Sequence, residues 1–168
     1  AHGSYAMTVI TVLTAQNTTG VYGISEVAPE FVENQLDCVF TDIFPDAVKI
    51  GMVYNAAIIH SIAGKLKQYQ ARNIVLDPVM VATSGDRLLQ EEAIATLQEE
   101  LVPFVRVITP NIPEAEILLG RKIAGQEELP QVARELSFGR KVSVLLKAGH
   151  LHDTELIDVF YNAETAKA

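Results

Sequence analysis

Apolar residues fall along this chain in two alternating rhythms. Short, β-branched runs come first: MTVITVLT at 7–14, AVKIG at 47–51, NIVLD at 73–77, VRVIT at 105–109 and VSVLLK at 142–147. Such near-continuous apolar runs predict fully buried strands of a parallel sheet. Amphipathic stretches lie between them. In PEFVENQLDCVFTDI, Phe31, Val32, Leu36, Val39 and Phe40 share one helical face, and Pro29 suits a first turn. NAAIIHSIAGKLKQYQ repeats the pattern with Ile58, Ile59, Ile62 and Leu66. LLQEEAIATLQEELV and QEELPQVARELS predict two more helices, the last beginning near Pro130 or kinked there. Asn111-Ile-Pro-Glu opens a short helix that Gly120 stops. Strand and helix alternating this regularly predict an α/β fold whose mostly parallel central sheet is covered on both faces. ELIDVFYN at 155–162 then reads as an added strand, antiparallel to the rest. No repeat, low-complexity tract or internal linker interrupts the order, so residues 1–168 are expected to form a single domain.

Charge narrows the partners. Thirteen basic residues against 21 acidic ones give a net charge of −8, which argues against nucleic acid, whose ligands need a basic footprint. A few placed donors can still bind a phosphate. Cys38 is the only cysteine, so neither an internal disulfide nor a thiolate zinc cluster can form. A reducing, cytoplasmic setting fits that usage. No apolar run approaches the roughly 18 residues of a membrane span, and no membrane partner is expected.

In open α/β sheets, ligands bind beyond the carboxyl ends of the strands. The first run here ends in Ala15-Gln16-Asn17-Thr18-Thr19-Gly20 and the second in Lys49-Ile50-Gly51-Met52. The third ends in Asp77-Pro78, the fourth in Thr109-Pro110-Asn111 and the fifth in Lys147-Ala148-Gly149-His150. Five such ends, bringing amides, an acid and a lysine to one edge, are more than loop closure requires. Asp77 and Glu114 are hard oxygen donors suited to Mg²⁺ shared with phosphate. Lys147 can neutralise phosphate charge, and Asn111 at a helix start can contact an anion beside free N–H groups. Those are the parts phosphoryl transfer needs, because its catalysis is mostly positioning and charge neutralisation. Gln16 offers a donor and an acceptor together, which suits the edge of a nitrogen heterocycle, and Met52 can pack on such a ring.

Each residue also has a plain structural reading. Asp before Pro is a common turn, and Asn-x-Pro-Glu is a common helix cap. Lys147 can be solvated and Met52 can be core. His150 and His152 form a His-x-His pair, but no third ligand is placed, so a solvated turn is the expectation. His60 sits in an amphipathic helix and should face water. Neither a G-x-x-x-x-G-K-[ST] loop nor G-x-G-x-x-G is present.

Taken together, TVLTAQNTTGV, DAVKIGM, NIVLDPVMVATSGDRLL, ITPNIPEAEILLG and VLLKAGHL resemble successive blocks of the hydroxymethylpyrimidine/phosphomethylpyrimidine kinase family of thiamine biosynthesis. The resemblance runs in order over nearly the whole chain. It implies a ribokinase-like three-layer fold and ATP-dependent phosphorylation of 4-amino-5-hydroxymethyl-2-methylpyrimidine and then of its monophosphate. It places Gln16 on the aminopyrimidine edge, with Gly51, Met52 and Val79 beside the ring. Asp77 and Glu114 fall in the Mg²⁺–phosphate region, and Asn111 and Lys147 at the nucleotide phosphates. Kinases of this group are often dimeric, so a homodimer is the expected assembly.

Two blocks of the family have no counterpart here: an early Gly-rich A-G-S-D-x-x-G-G-A-G-like segment and a late G-T-G-C turn that supplies the anion hole and general base. The resemblance therefore implies a kinase domain without its N- and C-terminal segments, and a 168-residue chain that does not turn over ATP alone. Two other readings stay open at this point. Pyridoxal kinase shares the fold, and a non-catalytic ligand-binding remnant would also lack the anion hole.

Overall fold

The computed structural model describes residues 3–81, 88–139, 141–149 and 157–168. Two sheets organise them. Strands β1 (Val12–Asn17) and β2 (Gly20–Glu26) form an antiparallel hairpin. Strands β3 (Val48–Ile50), β4 (Ile74–Leu76), β5 (Val107–Ile108), β6 (Ser143–Leu146) and β7 (Val159–Tyr161) form the central sheet in that spatial order. The pairs from β3 to β6 are parallel, and β7 closes the sheet antiparallel to β6. This is the expected α/β fold with its mostly parallel sheet, and the late run does supply the antiparallel strand.

Four of the five predicted buried strands stand in this sheet, each shorter than its apolar run. Ile50, Ile74, Leu76, Ile108, Val144 and Leu146 are all buried, while alternate residues such as Val75 and Val107 are half-buried. The first run differs. MTVITVLT is not a buried central strand: from Val12 onward it pairs only with β2, and Leu13 is 56% exposed. The two-residue link Thr18-Thr19 makes this possible, because Asn17 Oδ1 accepts from the Thr19 N–H (2.8 Å) and the Thr19 hydroxyl (2.6 Å). An Asn side chain that mimics a backbone turn lets two β-branched runs fold onto each other. The register slips between Ala15 and Gln16, a bulge that re-aims the strand just before its tip.

Helices α1 (Pro29–Asp42) and α2 (Ala56–Gln68) pack against each other. α1 starts with Pro29 in its first turn and buries Val32, Leu36 and Phe40, whereas Phe31, expected on the same face, is 59% exposed. α2 is capped by Asn55, whose Oδ1 accepts from the Ile58 N–H, and it buries Ile58, Ile59, Ile62 and Leu66 as expected. Asp37 joins the helices by accepting from Lys65 at 2.7 and 2.8 Å and from the Tyr69 hydroxyl at 2.8 Å. Hydrogen bonding to Lys65 and Tyr69 holds the Asp37 carboxyl below its ordinary range.

The helix predicted over LLQEEAIATLQEELV is interrupted. Leu88 and Leu89 both donate backbone N–H bonds to Met80 O and Gln90 donates to Tyr54 O, so the leading leucines are pinned to loops. α3 begins only at Ala93 (Ala93–Thr96), widens into a π-helical turn over Leu97–Leu101, and ends in a 3₁₀ turn over Val102–Phe104 that contains Pro103. α4 (Ile112–Leu119) stops at Gly120, whose φ of 67° lies in the left-handed region. α5 (Leu129–Glu135) carries Pro130 in its first turn and packs on β6 and β7. His60 is exposed, as expected, and its Nδ1 lies 2.7 Å from Glu100 Oε2.

Candidate active site

The parallel strands place their carboxyl ends side by side, and the polar groups gather there. Asp77 directly follows β4 and donates its N–H to Ile50 O at 2.8 Å, which aligns the ends of β3 and β4. Thr109 does the same for β5, its N–H reaching Leu76 O at 2.9 Å. An isolated parallel bridge between Asn111 and Lys147 carries the β5–β6 pairing one step further, with Lys147 N–H donating to Pro110 O at 2.9 Å. Short strands thus deliver Asp77, Thr109, Asn111 and Lys147 to one edge on fixed backbone.

Asp77 is the centre of the cluster. Its Oδ1 accepts from Lys147 Nζ at 3.0 Å and from the Thr109 hydroxyl at 3.2 Å, and its Oδ2 lies 3.4 Å from Lys49 Nζ. Burial pushes its carboxyl up, but Lys147, Lys49 and Thr109 together outweigh that and leave it below the ordinary range. Asp77 is therefore a partly buried carboxylate kept ionised between two cations.

Glu114 and Asn111 form a capping box. The Asn111 N–H donates to Glu114 Oε2 at 2.8 Å, and the Glu114 N–H donates to Asn111 Oδ1 at 2.9 Å. Burial pushes the Glu114 carboxyl up, opposed by the Asn111 N–H and the charge of Lys147. The plain cap reading of Asn111 is thus present in the geometry. Glu114 couples electrostatically to both Asp77 and Lys147, so the cap and the Asp77 cluster are one neighbourhood.

The ring-side residues are less closely gathered. Gly51 and Met52 follow β3 and line a cavity of about 790 Å³ between residues 3–14, α1 and β3, with Leu36, Phe40 and Val48 in its wall. Neither Gln16 nor Val79 lines it. Val79 is half-buried in the turn after β4, where its N–H donates to Asp77 O at 2.8 Å. Gln16 is exposed near the hairpin tip, beyond the bulge. The base of the hairpin is tied to the site, because the Thr11 hydroxyl donates to Met52 O at 2.7 Å and Asn55 donates to Glu26 Oε2 at 2.9 Å. Thr83, Ser84, Gly85 and Asp86 and the pair His150 and His152 lie outside the described residues.

Sequence reasoning put Lys49 and Thr109 at strand ends but gave neither a role beside Asp77. Lysine inside the apolar run AVKIG is the signal that could have revealed the first, since a charge at mid-strand needs a partner at the sheet's edge. Thr109 ends VRVIT one position before the Pro-Asn step, and its role follows only once β5 is paired with β4.

Mg²⁺ calls for hard oxygen donors. Among the described residues no three His, Cys, Asp or Glu side chains converge as a metal cage. Two hard carboxylates, Asp77 and Glu114, remain, and they fit an ion that keeps its water and draws its other ligands from phosphate.

Comparison with known proteins shows the family. The family model for phosphomethylpyrimidine kinase matches residues 1–168. The chain belongs to that family. A hydroxymethylpyrimidine/phosphomethylpyrimidine kinase of Rhizobium meliloti is 46% identical over 166 residues, covering 98% of this chain and 62% of its own. The solved phosphomethylpyrimidine kinase of Clostridium difficile superimposes with a TM-score of 0.84 at 42% identity, over 95% of this chain and 69% of that one. A Bacillus subtilis pyridoxal kinase solved as an ADP complex gives a TM-score of 0.80 at 30% identity, over 97% and 62%. The ribokinase-like fold that these kinases share is therefore the fold of this chain. The chain spans less than two thirds of the length of the curated relatives it matches. No helix among the described residues is long and apolar enough to cross a membrane.

Proposed function

We propose that the protein transfers the γ-phosphoryl group of ATP to 4-amino-5-hydroxymethyl-2-methylpyrimidine and then to its monophosphate, in the cytoplasm and as a homodimer. The observation that carries this reading is Asp77, ionised between Lys49 and Lys147 at the carboxyl ends of parallel strands in a chain of this family. Phosphoryl transfer asks for fixed charges around phosphate more than for covalent chemistry. Lys147, 38% exposed and anchored through its backbone N–H on Pro110, can turn its ammonium from Asp77 to a nucleotide phosphate with little movement of the chain. Asn111 spends its side-chain oxygen on the cap and has its NH₂ left to offer to the same phosphates. Asp77 and Glu114 would hold Mg²⁺. When bound, that ion would neutralise charge on the transferring phosphate.

On the ring side, Gln16 reads the aminopyrimidine edge, with Gly51, Met52 and Val79 beside the ring. The hairpin must then lie over the strand ends when the pyrimidine is bound. The pyrimidine is favoured over pyridoxal because the pyrimidine-kinase relatives are the more similar, at 42–46% against 30% identity.

The test is acceptor-dependent ADP release by the full-length protein. Hydroxymethylpyrimidine and its monophosphate should both be phosphorylated with kcat/KM well above that for pyridoxal. Preference for pyridoxal, or no acceptor dependence at all, overturns the reading. Gln16→Ala should weaken pyrimidine binding about tenfold, since one or two hydrogen bonds of about 0.5–1.5 kcal/mol each are lost. The exposed hairpin position makes the substitution cheap in stability, so calorimetric titration reads recognition directly. ATP affinity should stay within about threefold, and an unchanged pyrimidine affinity removes Gln16 from the site.

A further inference from the structure

Asp77 is approached by cations from both sides of its strand, and the two contacts are unequal. Lys147 comes from the β6 side and Lys49 from β3, the strand next to β4. The Lys147 contact is 3.0 Å with the side chain 38% exposed, whereas the Lys49 contact is 3.4 Å with the side chain 70% exposed. A loose, water-facing ion pair holds its partners weakly, so the Lys49 ammonium can be drawn to another anion at little cost. Lys49 also lines the same cavity as Gly51 and Met52. It thus borders the cavity beside Gly51 and Met52 while reaching Asp77 from β3, whereas Lys147 reaches Asp77 from β6.

The two reactions proposed above differ in what they ask of this position. The first acceptor is a neutral alcohol. The second is a phosphate monoester carrying about −1.5 to −2 charges at neutral pH. Bringing that dianion toward Asp77 and a nucleotide triphosphate, on a protein of net charge −8, needs a cation not already committed to the nucleotide. We propose that Lys49 receives the phosphate of the monophosphate acceptor and so determines specificity for the second transfer. This rests on the kinase reading and deepens it.

In that transfer, an oxygen of the acceptor's phosphate forms a bond to the γ-phosphorus. The bond from that phosphorus to the β,γ-bridging oxygen breaks, and ADP leaves with the electron pair. The product is the diphosphate. Because the monoester is already largely deprotonated, no base has to take a proton from it, and a fixed positive charge is sufficient. The first transfer must release the hydroxyl proton, so it does not share this requirement.

The experiment compares both acceptors on the full-length protein, its Lys49→Met variant and its Lys49→Arg variant. Steady-state kinetics give kcat/KM for hydroxymethylpyrimidine and for its monophosphate, and calorimetry gives the affinity for the monophosphate without nucleotide. In Lys49→Met, the ratio of kcat/KM for monophosphate over hydroxymethylpyrimidine should fall about tenfold or more, the scale of one lost charge-assisted bond. Monophosphate affinity should fall by a similar factor, and Lys49→Arg should restore both to within about threefold. Equal losses for the two acceptors would make Lys49 a mere counter-ion of Asp77 and overturn the proposal, as would an unchanged monophosphate affinity. A parent protein that phosphorylates neither acceptor sinks the kinase reading itself, whereas an active parent with an unaltered ratio in Lys49→Met sinks only the role of Lys49.

Discussion

Asp77→Asn is expected to lower kcat for phosphoryl transfer about a hundredfold or more, the scale on which single electrostatic groups act in such sites. The side chain keeps its size, and its remaining oxygen can still accept from Thr109, now 3.2 Å away. What goes is the negative charge that would hold Mg²⁺ against the phosphates. Its loss also leaves Lys49 and Lys147 without the anion between them. Pyrimidine affinity should change by less than about threefold, because Asp77 itself does not touch the ring in this reading. The measurement is steady-state turnover at saturating Mg·ATP, with calorimetry for the pyrimidine. A kcat within threefold of the parent returns Asp77 to its plain role as a turn residue before Pro78.

Leu76→Ala should be the most damaging single truncation near the site. Leu76 is fully buried in β4, paired in register with Ile50 on one side and Ile108 on the other. Truncating such a leucine costs about 2–5 kcal/mol in transfer and cavity terms. That is a large part of the roughly 5–15 kcal/mol by which a domain is stable. Urea denaturation should show the midpoint falling with an unchanged slope. A loss below about 1 kcal/mol would mean that the surrounding side chains collapse into the space. Leu76 directly precedes Asp77 and its carbonyl holds the Thr109 N–H, so relaxation at this position reaches the carboxylate as well.

The central sheet was legible because its strands are apolar at buried and half-buried positions alike. NIVLD and VSVLLK are near-continuous apolar runs, the signature of parallel strands, even though one face is only half-buried. The cap of α4 was equally readable, since Asn-x-Pro-Glu is a common helix cap and Asn111 and Glu114 form the box. The hairpin was not. MTVITVLT has the composition of a buried strand, and nothing local says that it pairs with GVYGISE rather than with a neighbour in the main sheet. Asn17-Thr18-Thr19-Gly20 held the decisive information, but read as a strand end it pointed to the ligand edge. The π-helical turn at Leu97–Leu101 also escaped, since an apolar period tolerates one wide turn. Within the site, Asp77 and Lys147 could be proposed from their strand ends. Lys49 and Thr109 depend on register: only the pairings of Lys49 with Val75 and of Leu76 with Ile108 bring them to the same carboxylate.

In the central sheet, spatial order repeats chain order from β3 to β7. Each strand therefore finds its partner in the one made just before it, and no pairing waits for a segment still to be synthesised. A ribosome releases chain at about 5–20 residues per second, slow beside hydrophobic collapse and helix formation. The sheet can thus be laid down strand by strand as it emerges, extending from β3 toward β7. Asp77 then emerges after Lys49 is already made, while Lys147 follows it by 70 residues, so the carboxylate gains its two cations at different times.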